Sequence, residues 1–316
     1  MFKPADLVPA SAWHLVDILN RAGLPHGVLN LVMGRGRDIG DTLTGDRRVK
    51  GGVSFTGSEA TGQRVLKSAQ AHGARVQLEM GGKNPLVILD DADLSAAVAG
   101  AMDGSFGSTG QRCTASSRLI VSNGIHDASW IAWPQPWRTL LWGGTPSTRP
   151  RGWGGRWWMS RSWPRTCATS TSRSGGRAPL GMAESWSSAP PRGGHFLTPP
   201  ALLTDTQATD TVNREEVFGP VASVIRVRDL DHALEVANDT EFGLTSGIYT
   251  SSLASSMKFR RESTAGMVMV NLPTAGVDYH VPFGGRGGPR RTARRSRGGP
   301  MLGTSTPRPR PPMCTP

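Results

Sequence analysis

Hydrophobic residues in the first 127 positions alternate between helical and extended patterns. Short apolar runs predict strands at residues 28–33, 52–56, 75–79 and 86–89. An early helix is predicted by apolar residues three or four positions apart, with Gly23 and Pro25 ending it. The faces of the predicted helices are Val8, Ala12, Leu15, Leu19 and Ala22; then Val65, Leu66 and Ala69; then Leu94, Ala97, Val98 and Ala101. This alternation predicts an α/β fold with a parallel sheet covered by helices.

The same pattern returns in the second half of the chain, from about residue 194. Runs at 221–227, 247–250 and 266–271 predict strands, with a helical stretch around Met257. Another helix face is formed by Leu230, Ala233, Leu234 and Ala237. Residues 128–193 and 287–316 show no sustained period of 2 or 3.6, so they predict no amphipathic element and are expected to be disordered.

Charge is distributed unevenly over the 316 residues, whose net charge is +12. Residues 1–127 carry 13 basic and 12 acidic side chains, and residues 201–286 carry 7 and 11. Residues 128–200 carry nine Arg with one Glu, and residues 287–316 carry seven Arg with no acid. Nine of the ten Trp also lie between Trp130 and Trp186. The excess charge therefore belongs to the two segments that lack a folding pattern.

A Trp and Arg block can indicate nucleic-acid binding through stacking and phosphate contacts, or a membrane-surface segment. Both alternatives rest on composition alone, so no nucleic-acid or membrane partner is expected. No apolar run reaches about 18 residues, and the start lacks the pattern of a signal peptide. Cys113, Cys167 and Cys314 have unrelated spacings that fit neither a disulfide framework nor a metal site. We therefore expect a cytoplasmic protein without a bound metal.

Cys113 lies in GSTGQRCTASSR, residues 107–118, where small residues flank the thiol. Such a loop lets the backbone approach a substrate and predicts an exposed sulfur. A thiolate there can attack a carbonyl carbon while backbone N–H groups hold the oxyanion. The alternative is a cysteine that serves as a small buried apolar residue.

Two further motifs follow predicted strands. Glu79, in QLEMGGKNP, ends a strand before two glycines, where a carboxylate can activate water or can simply be a solvated strand-end acid. Gly57 and Ser58, in SFTGSEATG, join a strand to a helix whose first N–H groups suit a dinucleotide pyrophosphate. The second motif lacks a full GxGxxG pattern, so an ordinary strand-to-helix turn remains an alternative.

The order FTGSEATG, LEMGGKNP, FGSTGQRCTASSR and REEVFGPV resembles the aldehyde dehydrogenase superfamily. In finer detail, LEMGGKNPLVILDDADL, GQRCTASSRLIV and AGVDYHVPFGG are most similar to α-ketoglutarate semialdehyde (2,5-dioxovalerate) dehydrogenases. The resemblance implies a partial Rossmann-type cofactor domain at residues 1–81 and an α/β catalytic domain at residues 82–286. It also implies oxidation of a small aldehyde, such as an acid semialdehyde, to a carboxylic acid with NAD or NADP.

The resemblance implies a role for each motif. Cys113 matches the nucleophile that forms a thiohemiacetal and then a thioester, and Glu79 matches the base that activates water. Asp6 favours NAD through the 2′-hydroxyl, whereas Lys3 tolerates a 2′-phosphate, so both cofactors remain open. The residues that match cofactor contacts are Lys3, Asp6, Gly34, Phe55, Gly57, Ser58, Thr61, Met80, Gly81, Glu216 and Phe218.

Arg112 and Asn271 are the candidate substrate residues. Arg112 precedes the nucleophile and can pair with the carboxylate of an acid semialdehyde, or it can face solvent. Asn271 is a candidate through the resemblance.

The resemblance stops at about residue 128, resumes at about 193 and stops again after 286. The intervening length is close to that expected of the family, so we interpret 128–193 as a compensated reading-frame shift and 287–316 as a second, uncompensated one. The resemblance also implies earlier cofactor-domain strands and an oxyanion-hole asparagine, which precede this sequence in the family, and homo-oligomers assembled through the altered tail. We therefore expect poor folding and negligible activity, so an inactive fragment of such an enzyme is the alternative.

Overall fold

The computed structural model describes residues 1–132, 201–286 and 313–314, which form two compact units, Met1–Met80 and Gly81–Pro316. The sequence places a domain boundary at residue 81, next to this division, and the roles of the two domains stay predictions. The predicted disorder at 128–193 lies outside the described residues, except that a helix continues to Ala132. Of the tail, only Met313–Cys314 is described, as a short strand.

The first unit is built around one strand–helix–strand motif. Strand β1 (Val53–Gly57) leads through a short turn into α3 (Glu59–Gln70), which is followed by β2 (Val76–Met80). The two strands are parallel, with Thr56 opposite Glu79 and Gly57 opposite Met80. The element bounds are α1 Pro9–Arg21, α2 Gly36–Gly45, β1 Val53–Gly57, α3 Glu59–Gln70 and β2 Val76–Met80.

The prediction of a strand at residues 28–33 is wrong. Only Leu31 forms a bridge, paired in parallel with Phe2. The two flanking hydrogen bonds run from Phe2 N to Asn30 O, at 2.8 Å, and from Val32 N to Phe2 O, at 2.9 Å. Phe2 lies in no strand, so the ladder ends after one pair and the apolar run remains a loop.

The described strands of the second unit are β3 Asn84–Ile88, β4 Ser116–Ser122, β5 Ala201–Leu203, β6 Val221–Val227, β7 Thr245–Tyr249, β8 Met267–Val270 and β9 Met313–Cys314. They form one sheet in the order β5-β6-β4-β3-β7-β8-β9, and every described pair is parallel. The predicted parallel α/β architecture is therefore confirmed. The sequence did not predict β4, which follows Cys113 and lies inside the sheet. The helices are α4 Leu94–Phe106, α5 Asn123–Ala132, α6 Thr211–Arg214, α7 Leu230–Asn238 and α8 Leu253–Glu262.

Helices cover both faces of this sheet. Leu86 packs into one apolar cluster with Ala97 and Val98 of α4, whereas Val87 packs into another with Ala233 of α7 and Phe259 of α8. Strands buried on both faces require nearly continuous apolar runs, as in the Leu-Val-Ile sequence of β3. Within the described ranges, no helix is both long and apolar enough to cross a bilayer.

Arg118 joins β4 to the end of α7. Its guanidinium donates to the carbonyl oxygens of Lys83, Val236 and Ala237, each at 2.9 Å. The last two carbonyls belong to the final turn of α7, where the helix dipole is negative. Burial lowers the pKa of Arg118 to about 10, so it remains charged at neutral pH. This fixed cation holds the start of β4, and therefore the chain just after Cys113, in place.

Candidate active site

Glu79 lies at the carboxyl edge of the β1–β2 pair in the first unit, opposite Thr56. Its side chain is half-buried, and Oε1 has no hydrogen-bond partner among the described residues. Burial raises the pKa of Glu79, while a hydrogen bond with Gln77 opposes the shift. A carboxylate with a raised pKa and an unpaired oxygen is suited to accept a proton from water.

The turn between β1 and α3 brings several cofactor candidates together. Ser58 precedes α3, and its hydroxyl lies 3.0 Å from Thr61 Oγ1 without capping the first backbone N–H groups. A side-chain carbon on Gly57 would lie 2.6 Å from the Phe55 ring. One on Gly62 would lie 2.6 Å from the sulfur of Met80. Because Gly57 and Gly62 have no side chains, Phe55 and Met80 can pack closely against the start of α3.

The remaining candidates of this unit lie on loops that lead into α1 and α2. Lys3 donates from Nζ to the carbonyl of Pro4 at 2.5 Å, and Asp6 is exposed in a turn before α1. Gly34 precedes α2, and a side-chain carbon there would lie 2.7 Å from Ile39 Cδ1. The cofactor roles of these three residues stay predictions.

In the second unit, Glu216 lies against the two glycines of LEMGGKNP. Gly82 N donates to Glu216 Oε1 at 3.1 Å. A side-chain carbon on Gly81 would lie 2.1 Å and 2.2 Å from the two carboxylate oxygens. Two positions later, Phe218 has a φ of 50° and is 38% exposed. Gly82, Arg112, Glu216 and Phe218 line one crevice, so the fold joins three separate motifs there.

Cys113 lies in the turn between a short 3-10 helix, Gly107–Gly110, and β4. The predicted loop position is correct, but the residue is half-buried rather than exposed. Cys113 packs against the buried cluster of Leu244, Met267 and Met269, which Leu272, Val277 and Phe283 also contact. This packing removes water from one side of the residue, while polar groups line the neighbouring crevice at Arg112.

Arg112, which precedes Cys113, is held by a hydrogen bond from Nη2 to Ser108 Oγ at 2.9 Å. Ser108 and Thr109 both adopt left-handed backbone conformations, with φ of 53° and 61°. Two consecutive non-glycine residues in this region are uncommon and indicate a loop shaped by its surroundings. The guanidinium therefore has a defined attachment on the edge of the crevice.

Lys83 was not predicted as a site residue, yet it lines the same crevice and is only 2% exposed. Burial, reinforced by the charge of Arg118, lowers the pKa of Lys83 to about 7, while Glu216 and Glu215 oppose the shift. Its place within LEMGGKNP was the only signal in the sequence. The residue type itself gave none, because a single lysine resembles any surface lysine.

Asn271 follows β8. Its backbone N donates to Ile248 O at 2.8 Å, and its side-chain Oδ1 accepts from Thr250 N at 3.0 Å. These contacts connect the ends of β7 and β8, and the substrate role of Asn271 stays a prediction. Within the described residues, no three His, Cys, Asp or Glu side chains form a group able to hold a metal ion.

Comparison with known proteins identifies the relatives of this chain. The model of the aldehyde dehydrogenase family matches residues 1–289. The α-ketoglutaric semialdehyde dehydrogenase of Bacillus subtilis is 36% identical over 287 residues, which cover 90% of this chain and 58% of that protein. The betaine aldehyde dehydrogenase of Mesorhizobium japonicum is 35% identical with the same coverage.

Solved structures show the same relationship. The betaine aldehyde dehydrogenase of Staphylococcus aureus, solved in complex with NAD+, has a TM-score of 0.81 at 27% identity and covers 90% of this chain and 56% of its own. The lactaldehyde dehydrogenase of Escherichia coli has a TM-score of 0.80 at 31% identity, with coverage of 91% and 60%. The chain spans 58% of the length of the first curated relatives that it matches. With the family model matched over most of its length, the chain belongs to the aldehyde dehydrogenase family.

Proposed function

We propose that this chain carries the site for NAD(P)-dependent oxidation of an aldehyde to a carboxylic acid. The observation that carries the proposal is the half-buried Cys113, packed against an apolar cluster beside a crevice that Arg112 and Glu216 line. An apolar flank limits water at the sulfur, and a polar crevice beside it suits a polar reactant. Membership of the aldehyde dehydrogenase family supports the assignment of this thiol as the nucleophile.

In this proposal, the thiolate of Cys113 attacks the aldehyde carbon, and the carbonyl oxygen takes up a proton to give a thiohemiacetal. Oxidation of this adduct to a thioester removes a hydride and the hydroxyl proton, and a nicotinamide dinucleotide, when bound, would supply the hydride acceptor. Glu79 then takes a proton from water, the resulting hydroxide adds to the thioester carbon, and the C–S bond breaks. The products are the carboxylic acid and the regenerated thiolate.

The residues present fit a dinucleotide cofactor in each unit considered by itself. In the first, the N–H groups at the start of α3 are not capped by Ser58, so they can donate to phosphate oxygens. In the second, the carboxylate of Glu216 can accept from ribose hydroxyls, and the part-exposed ring of Phe218 can flank a nicotinamide. Lys3 and Asp6 would meet the adenosine ribose, which leaves both NAD and NADP possible.

The proposed substrate is an acid semialdehyde, of which α-ketoglutarate semialdehyde is an example. The B. subtilis relative is named for that substrate. Arg112 supports the choice, because its guanidinium stands on the crevice edge beside Cys113 and can pair with a carboxylate. The proposed location is the cytoplasm. The resemblance implies homo-oligomers that assemble through a tail altered in this chain, and light scattering would detect such an assembly.

The test is a single turnover, because it reports formation of the thioester separately from its hydrolysis. The purified 316-residue chain is mixed with NAD or NADP and α-ketoglutarate semialdehyde, and reduced nicotinamide is recorded optically. We expect a burst that requires the aldehyde and disappears in Cys113→Ser. A folded chain that gives the same burst with Cys113→Ser, or none with any aldehyde, would show that the proposal is wrong.

Arg112→Ala tests the substrate class. It should weaken single-turnover use of the acid semialdehyde by about tenfold or more, while betaine aldehyde, which carries a positive charge, should be affected little. Arg47→Ala, at an exposed position in the first unit, is the matched loss of one arginine. Equal effects on both aldehydes would remove the carboxylate role of Arg112.

A further inference from the structure

Three consecutive backbone carbonyls at the nucleophile are held by two buried side chains. Asn84 donates from Nδ2 to Cys113 O at 2.8 Å and to Ala115 O at 2.9 Å. Thr274 donates from Oγ1 to the intervening carbonyl, Thr114 O, at 2.8 Å. The backbone from Cys113 to Ala115 therefore has little freedom to rotate about its peptide planes.

Both side chains are themselves fixed. Asn84 is 2% exposed, and its Oδ1 accepts from Thr245 N at 3.2 Å. Thr274 is 0% exposed, and because its only hydroxyl proton points to Thr114 O, its oxygen accepts the 2.7 Å hydrogen bond from Ser116 Oγ. Each side chain thus connects the nucleophile loop to the body of the sheet.

The local sequence explains why side chains take this role. The register between β3 and β4 shifts between Asn84 and Pro85, and Pro85 has no N–H to donate to β4. The Asn84 amide supplies two donors at that point. Gly82 makes room for the approach, because a side-chain carbon there would lie 2.8 Å from Cys113 O.

We propose that Asn84 and Thr274 are positioning residues for the nucleophile, setting the direction in which the thiol of Cys113 leaves the loop. This inference rests on the proposed function only in taking Cys113 as the attacking group. Misplacing a reacting atom by about 1 Å can cost about 10²-fold in rate. Removing the hydrogen bonds of Asn84 or of Thr274 to these carbonyls should therefore slow the attack of the thiol on a carbonyl carbon, beyond any effect on folding.

The experiment measures acylation of Cys113 in the full chain, with Cys167 and Cys314 replaced by Ser. The probe is p-nitrophenyl acetate. The thiolate attacks the ester carbon, a C–S bond forms, the C–O bond breaks, and p-nitrophenolate leaves as the coloured product. Iodoacetamide alkylation of the same thiol is measured in parallel, since displacement at its methylene carbon needs no alignment with a carbonyl.

Thr274→Val removes the hydroxyl at nearly constant volume, and Thr274→Ser retains it. Asn84→Asp replaces the two-proton donor with a carboxylate. The matched control is Thr206→Val, because Thr206 Oγ1 also donates to a backbone carbonyl, Val224 O, and accepts from Asn213 Nδ2, on a loop between β5 and α6. The melting temperature of each variant shows that the folded protein is being compared.

We expect Thr274→Val and Asn84→Asp to slow acylation by about tenfold or more, with alkylation changed by less than about threefold. Thr274→Ser should recover most of the acylation rate, and Thr206→Val should leave it within about twofold. Parental acylation rates in folded Thr274→Val and Asn84→Asp would overturn the inference, as would an equal loss in Thr206→Val. If the parent itself acylates no faster than Cys113→Ser, the proposed function fails and the inference with it; the other negative results overturn the inference alone.

Discussion

The backbone nitrogen of Gly82 donates a hydrogen bond to Oε1 of Glu216 at 3.1 Å, across 134 positions of sequence. The carboxylate can come this close because Gly81 has no side chain, and a Cβ there would overlap both oxygens. Residues of LEMGGKNP and of REEVFGPV therefore line the same crevice. The contact also leads to the first prediction.

Gly81→Ala should displace the Glu216 side chain and weaken NAD binding by about tenfold or more, since one charge-assisted hydrogen bond would be lost. The displaced carboxylate is the end of a flexible side chain, so the melting temperature should change little. Calorimetric titration with NAD measures the affinity. Glu216→Gln should weaken binding without a steric cause, and normal affinity in both variants would contradict a ribose role for Glu216.

Lys83→Met should make stability less dependent on pH. Burial holds the pKa of Lys83 at about 7, below its ordinary value of 10.5. Protonating the buried amine of Lys83 therefore lowers the free energy of unfolding. The stability of the neutral form is fully present above about pH 10.5 and is lost as the pH falls through about 7. Near pH 6 the variant should be more stable than the parent by about 2 to 5 kcal/mol, and this advantage should shrink as the pH rises toward about 10.

Urea unfolding at several pH values measures the free energy of unfolding for both proteins. Lys67→Met, which removes a lysine from α3, serves as the matched control. A parallel pH dependence for parent and Lys83→Met would show that folding does not lower the pKa of Lys83.

Arg118→Met should destabilise the second unit by about 3 to 5 kcal/mol, because three buried carbonyls would lose their donor. Arg48→Ala is the contrast, since Arg48 pairs with Asp46 at an exposed position, where solvent screening leaves an ion pair with little effect on stability. Urea unfolding followed by circular dichroism measures both losses. Similar small losses would mean that water replaces the guanidinium at the end of α7.

Glu79→Gln should leave acylation of Cys113 unchanged and slow release of the acyl group by about 10²- to 10³-fold, because the amide cannot take a proton from water. With p-nitrophenyl acetate, the initial burst should remain and the steady phase should nearly vanish. The raised pKa of Glu79 places the acid limb of the parental steady rate above the ordinary value of 4.5. Glu241→Gln, at an exposed acid, should alter neither phase.

Local sequence patterns predicted much of the fold. The apolar spacing from Val8 to Ala22 predicted α1, and the run at residues 221–227 predicted β6 at its observed bounds. The run at 28–33 failed, because a strand needs a partner of matching length and only Phe2 pairs with it. Strand β4 was missed because its apolar core, Leu119 to Val121, is short and follows polar residues.

Motif order indicated the family and named Cys113, Glu79 and Glu216, because the side-chain types that carry chemistry are written in the sequence. It did not indicate Asn84, Thr274 or Lys83, since an amide, a hydroxyl and an amine are common everywhere on protein surfaces. What distinguishes these three is their burial near the loop of Cys113 and the atoms that they contact.

The sequence by itself determined the alternation of helix and strand and the residue types available for chemistry, because both depend on neighbours within a few positions. Only the tertiary structure decided that Gly82 donates to Glu216 and that Arg118 donates to the last carbonyls of α7. It also decided that Asn84 and Thr274 hold the loop of Cys113. Hydrogen bonds between residues 29 to 160 positions apart depend on how the parallel strands are ordered in the sheet. Strand order is set by packing of the whole unit, which no local pattern encodes.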